Sequence, residues 1–83
     1  DTIEWQVSQS LNNIKSILED NHSSMDKIVK TTVYLSNITD FKAFNEVYQG
    51  FFNGDYPART AFQVGALPMG ALVEIEAIAE VDE

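Results

Sequence analysis

"KIVKTTVYLSNITDFKAFNEVYQGFFNGDYPARTAFQVGAL", residues 27–67, is the stretch whose reading decides the fold. Its first part, 27–36, is rich in β-branched residues and reads as a strand. "NITD" turns the chain, and Thr39 or Asp40 can cap a second helix over 41–52. In that helix Phe41, Phe44, Val47, Tyr48, Phe51 and Phe52 fall at helical spacing and form a core-facing stripe. Asn45 and Tyr48 are its neighbours with polar handles, able to face a site. "NGDYP", 53–57, breaks the helix with Gly54 and Pro57. "ARTAFQVGAL", 58–67, then alternates, with Phe62, Val64 and Ala66 on one face. A strand, a helix and a strand in this order predict a right-handed crossover joining parallel strands over 28–66.

Working outward, residues 1–21 read as a helix. Asp1 or Thr2 can cap it, and Asp1-x-x-Glu4 resembles a capping box. Val7, Leu11, Ile14 and Leu18 make one apolar stripe, which Ile17 widens. "NHSS", 21–24, is loop chemistry, and His22 within it is expected to face solvent. Beyond 67, Pro68-Met69-Gly70 turns the chain into a last strand, "LVEIEAIAEV" (72–81), running antiparallel to the others. Val73, Ile75, Ala77, Ala79 and Val81 share one face; Leu72, Glu74, Glu76, Ile78 and Glu80 share the other. The fold class is therefore α/β (α+β): a mixed sheet with two helices on one face. The other face, half apolar, invites association through the sheet.

Composition bounds the function. Eighty-three residues make one small domain, 1–83, and such a chain buries only roughly 60–65% of its unfolded surface. Without cysteine there is neither a disulfide framework nor a thiolate metal site. The net charge of −8 argues against phosphate backbones and anionic lipid, so neither nucleic acid nor membrane is an expected partner. No apolar stretch approaches the ~18 residues of a membrane span. No signal peptide is visible, so a cytoplasmic location is expected, or a mitochondrial one if a transit peptide has been lost. A start at Asp1 rather than Met is what a processed or truncated product would show.

Arg59, the only arginine, stands where the loop becomes a strand. The words around it, "VKTTVYL", "DFKAFNEVYQGFF", "PART", "ALP" and "VEIEAIA", come in order at short spacings. Together they closely resemble the Rid family of reactive-intermediate deaminases, also called YjgF-like or L-PSP proteins, over essentially all of residues 4–81. The chain is most similar to the deaminase-type branch, since it keeps the Arg of "PAR" and the first Glu of "EIEAIA". The resemblance implies a chorismate-mutase-like fold, a homotrimer, and active sites in clefts between subunits. It implies hydrolysis of 2-imino or enamine acids (2-aminoacrylate/2-iminopropanoate, 2-iminobutanoate) to 2-oxo acids and ammonia, with no cofactor and no metal. Family members carry further strands before the first helix, which flank the last strand and supply a Tyr and a Ser to the cleft. Those strands are absent from these 83 residues, which leaves the last strand as an expected open edge.

The resemblance also assigns roles. Arg59 matches the carboxylate-binding Arg, a task suited to its planar fork; a surface ion-pair Arg is the alternative. Glu74 matches the catalytic Glu, which handles water and proton in iminium hydrolysis. Glu76 points to the same face, and pattern alone does not choose between them. Asn45 matches a cleft-lining Asn. Ala61 stands where several relatives carry Cys, so its backbone can contact substrate but no thiol is available. Non-enzymatic binding of small carboxylates, or a regulatory role using the same cleft, is the competing reading. Ribonuclease activity, a further possibility for the family, is disfavoured by the acidic charge and the lack of a His pair.

Spacing adds a constraint. With a short turn near Met69, Glu74 is level with roughly Val64, and five residues at about 3.3 Å each put Arg59 about 16 Å further along the sheet. Arg59 and Glu74 of one chain are then not expected to meet, and a shared substrate would need two subunits.

Overall fold

Alternating residues in IVKTTVYL build the central strand β1 (Ile28–Leu35) of a computed structural model that describes residues 2–82. Thr31, Val33 and Leu35 point inward and are fully buried. Ile28 is buried on the same side despite its odd spacing from Thr31, because the ladder shifts register between Ile28 and Lys30, where a bulge absorbs one residue. β2 (Ala58–Gln63) pairs with β1 in parallel and β3 (Val73–Ala79) pairs with it antiparallel, giving the order β2-β1-β3. The crossover therefore has the parallel sense that the sequence predicts. β1 lies between the two later strands, however, so no hairpin forms across Met69.

Helices α1 (Ile3–Glu19) and α2 (Phe41–Gln49) cover one sheet face. Ile3, Val7 and Leu11 of α1 meet Phe44 and Tyr48 of α2 over Val33, Leu35 and Val73 of the sheet. The aromatic stripe of α2 is core, as its spacing predicts: Phe44, Tyr48 and the following Phe52 are buried and stack in sequence, with centroids 5.1 and 4.9 Å apart. One polar bond lies inside this core, between the Tyr48 hydroxyl and Thr31 Oγ1 at 2.8 Å. It lets a hydroxyl on a fully buried strand residue keep a partner.

Local differences from the sequence reading have local causes. Thr2 caps α1, its side chain accepting from the Trp5 N–H at 3.1 Å; the proposed Asp1 cap lies outside the described residues. Ile17 does not widen the stripe but is exposed, one position off the buried face. Neither Thr39 nor Asp40 caps α2 through its side chain. Asn37 does the capping one turn earlier, accepting from the Thr39 N–H at 3.0 Å at the head of a short 3-10 turn, Ile38–Asp40. α2 ends at Gln49, and the N–H groups of Phe51 and Phe52 continue in tighter turns.

Leu72 belongs to neither alternation face. It precedes β3, donates its N–H to Gln6 Oε1 at 2.8 Å and packs against the core. Val81 lies beyond β3 and is exposed. The turn before β3 runs through Met69 and Gly70 with φ of 58° and 68°, a left-handed pair in which Met69 stands wholly in solvent. After β3 the chain is held by Lys27, which pairs with Asp82 at 2.6 Å, and by Ser23, whose hydroxyl donates to the Glu80 carbonyl. No helix among the described residues is long and apolar enough to cross a membrane.

Candidate functional site

Arg59 is the second residue of β2 and pairs in register with the buried Thr31, so its side chain leaves the sheet on the helix side. There it runs across the open flank of α2. The guanidinium carbon lies 5.1 Å from the ring centre of Phe41, 5.8 Å from that of Phe44 and 4.9 Å from that of Tyr48. Each such cation–π contact contributes about 0.5–1 kcal/mol at an exposed site. Nη1 donates to Asn45 Oδ1 at 2.7 Å. Asn45 reaches it because it sits one helical turn after Phe41, beside Phe44, at the polar margin of the stripe.

No carboxylate pairs with this cation: among the described residues the ion pair is Lys27 with Asp82. Arg59, Asn45, Tyr48, Gln49, Tyr56 and Pro57 line a surface pocket of about 250 Å³. The site thus offers unused guanidinium donors, an aromatic wall and two side-chain amides, which suits a small planar anion. A larger hollow of about 410 Å³, between the ends of the helices around Lys15, Glu19 and Phe51, shares no residue with it.

Glu74 and Glu76 are exposed on the opposite face of the sheet, since Val73, Ile75 and Ala77 of β3 turn toward the helices. Glu74 pairs in register with Tyr34, whereas Arg59 pairs with Thr31. The offset between them is three residues, about 10 Å, with a strand between them adding about two spacings of 4.8 Å. This corrects the five-residue offset expected from a hairpin, because β1 occupies the middle of the sheet. The two side chains do not meet within one chain, and their lying on opposite faces is a further reason that spacing alone did not reveal.

Ala61 follows Arg59 on the same side, opposite the buried Val33, and packs partly into the core. His22 is exposed in its loop with φ of 61°. No group of three or more His, Cys, Asp or Glu among the described residues is placed to hold a metal. The structure therefore brings Arg59 and Asn45 together, puts Ala61 on their side of the sheet, and keeps Glu74 apart.

Sequence reasoning missed three contributors. Tyr56 and Pro57 wall the pocket, and their signal was their position directly before Arg59. Tyr34 donates a hydrogen bond to Glu76, and its ring meets Phe62 edge-on at 5.1 Å. Finding that group requires the strand register. The hydrogen bond to Glu76 holds the Tyr34 phenol above its ordinary ionisation range, with desolvation and then the charges of Glu76 and Glu74 adding to it.

Compared with known families, residues 1–81 match the one described as endoribonuclease L-PSP. The chain belongs to this family, also called Rid. The rat 2-iminobutanoate/2-iminopropanoate deaminase is 47% identical over 74 residues, which are 89% of this Rid chain and 54% of the rat protein. A Yersinia pestis structure titled as a protein of unknown function of the conserved Rid family, YyfA, superposes with a TM-score of 0.94 at 47% identity. The match covers 96% of this chain and 64% of that one. Escherichia coli TdcF, solved with bound serine, superposes at 0.93 with 38% identity, covering 100% of this chain and 67% of TdcF. The Rid chain described here thus spans between about half and two thirds of the length of these relatives.

Proposed function

We propose that this protein hydrolyses small 2-imino or enamine acids, of the 2-iminopropanoate and 2-iminobutanoate class, to 2-oxo acids and ammonia. The observation that carries the reading is Arg59: a guanidinium with no carboxylate partner among the described residues, fixed by Asn45 over three aromatic rings at the mouth of a small pocket. The substrate carboxylate would take its free donors. Water then adds to the iminium carbon, its proton passing to a carboxylate. The carboxyl group returns that proton to the carbinolamine nitrogen, the C–N bond breaks, and the hydroxyl gives up its proton as the 2-oxo group forms and ammonia leaves, protonated. Glu74 is that carboxylate in this reading.

Because Arg59 and Glu74 of one chain lie on opposite faces, the proposed site joins Arg59, Asn45 and Ala61 of one subunit to Glu74 of a second. A homotrimer is the assembly proposed. The uncovered sheet face, with Phe62 and Ile78 exposed, supplies apolar surface for it. The names of the deaminase relatives support the reaction class. The chemistry asks for no cofactor or metal.

The test generates 2-aminoacrylate with a serine dehydratase and follows pyruvate release with the protein and with an Arg59→Ala variant. Faster release with the protein and not with the variant is expected; no acceleration would remove the proposal. A second reading, carboxylate binding without turnover, is favoured by one observation: Arg59, Asn45 and the aromatic rings come together within a single chain, while Glu74 lies on the other sheet face. Calorimetric binding of 2-oxobutanoate, without acceleration in the assay, would select that reading.

A further inference from the structure

The sequence leaves two carboxylates, Glu74 and Glu76, on one face of β3, and the deaminase reading needs one of them as base. We infer that Tyr34 is a positioning residue that decides between them: its hydroxyl engages Glu76 and leaves Glu74 as the carboxylate available to a substrate water. This inference rests on the proposed imine hydrolysis for its consequence, though not for its geometry.

Three features carry it. First, the register sets Tyr34 opposite Glu74 and Thr32 opposite Glu76, yet the phenol bonds diagonally to Glu76. Strand neighbours one step off the direct pair are within reach of a long aromatic side chain. Second, the diagonal lean is braced. Phe62, the partner of Tyr34 on β2, sets its ring at 83° to the tyrosine ring with centroids 5.1 Å apart, a favoured aromatic geometry. Third, Glu74 makes no side-chain hydrogen bond among the described residues, whereas Glu76 is an acceptor already in use.

The ionisable groups on this face are Lys30 and Tyr34 of β1 and Glu74 and Glu76 of β3; β2 adds none, presenting Ala58, Thr60 and Phe62 there. Of these groups, Tyr34 lies directly opposite Glu74 and bonds to Glu76, so it is the one placed to sort the pair. A strand carrying two equivalent carboxylates would offer two orientations for the attacking water. Fixing one of them on a phenol removes that ambiguity.

Two measurements test this. The absorbance titration of Tyr34, taken as the difference between the protein and Tyr34→Phe, should lie above the ordinary tyrosine range. It should move back toward that range in Glu76→Ala and change little in Glu74→Gln. The reverse pattern would overturn the inference. This titration needs no activity, so it stands even if the protein hydrolyses no imine and the functional proposal fails. In the pyruvate assay, Glu74→Gln should lower the rate by about 100-fold or more, as expected for a lost general base. Adding Tyr34→Phe should recover about tenfold by freeing Glu76, and further adding Glu76→Ala should abolish the recovery. No recovery in the double variant, or a Glu76→Ala defect as large as that of Glu74→Gln, would also overturn it.

Discussion

Arg59 and Glu74 leave the same three-stranded sheet on opposite faces, three register positions and two strands apart. Any chemistry that uses both must therefore be shared between chains. Mixing Arg59→Ala subunits with Glu74→Gln subunits is expected to restore part of the activity that each lacks alone, since some mixed interfaces then carry both native residues. Refolding the two variants together and assaying pyruvate release checks this. Recovery no greater than the sum of the separate variants would show that the two residues do not share a site across subunits.

Replacing Arg59 by Lys keeps the charge but loses the fork and the flat stacking surface over Phe41, Phe44 and Tyr48. Losing one charge-assisted hydrogen bond costs about 1.5–3 kcal/mol. The expected result is a rise of about 10- to 100-fold in KM, with folding retained because Arg59 is exposed. Asn45→Ala should raise KM less, since it removes only the bond that steers the guanidinium. Steady-state kinetics with circular dichroism as a folding control decides both.

Tyr48→Phe keeps the aromatic stack and removes only the hydroxyl that meets Thr31 inside the core. The Thr31 hydroxyl, fully buried, is then unpaired, at a cost of about 1–3 kcal/mol. In a domain of this size each kcal/mol lowers Tm by about 4–8 °C. Adding Thr31→Val should recover much of the loss, because both polar partners are then gone. Denaturant unfolding of the two variants measures it.

The amphipathic helices and the β-branched strand were legible because residues such as Phe44, Val7 and Val33 repeat at the period of their element. Core position and parallel pairing followed. The order of the strands was not legible. Nothing in the 64–72 turn says that β1, far earlier in the chain, will lie between β2 and β3. Arg59 and Asn45 stood out by residue type and by family words, and the structure brings them together. Of their aromatic floor only Tyr48 was read as able to face a site; Phe41 and Phe44 were read as core, since spacing does not show that a ring can bury one face and offer the other to a cation. Tyr34 and Glu76 needed register, which periodicity does not carry.

Thr2 is the described cap of α1, so Thr2→Ala should destabilise the protein by about 0.5–2 kcal/mol, with Asn or Ser at the same position restoring most of it. The unfolding midpoint of the three variants gives the answer.

Two groups make stability depend on alkaline pH. Tyr34 is raised above 10.0 by its bond to Glu76, and Lys27 above 10.5 by its bond to and the charge of Asp82. For each, the folded state holds its proton more tightly than the unfolded chain. Their contributions are therefore complete below those ordinary values and fade as pH rises through the folded ones. Stability should decline over that range, and a Tyr34→Phe, Lys27→Gln double variant should decline less steeply. Urea midpoints measured at intervals from pH 8 to about 11.5 compare the slopes.

The aromatic floor beneath Arg59 has a thermodynamic consequence. A free arginine gives up about 2 kcal/mol of rotamer freedom when a ligand immobilises it. Here contacts with Phe41, Phe44, Tyr48 and Asn45 already restrict that motion. In the proposed reaction an arriving carboxylate would meet a guanidinium with little left to freeze, and the attraction would be similar for any small carboxylate. Discrimination among such molecules would then rest on what surrounds their second carbon, the part that a second subunit would reach.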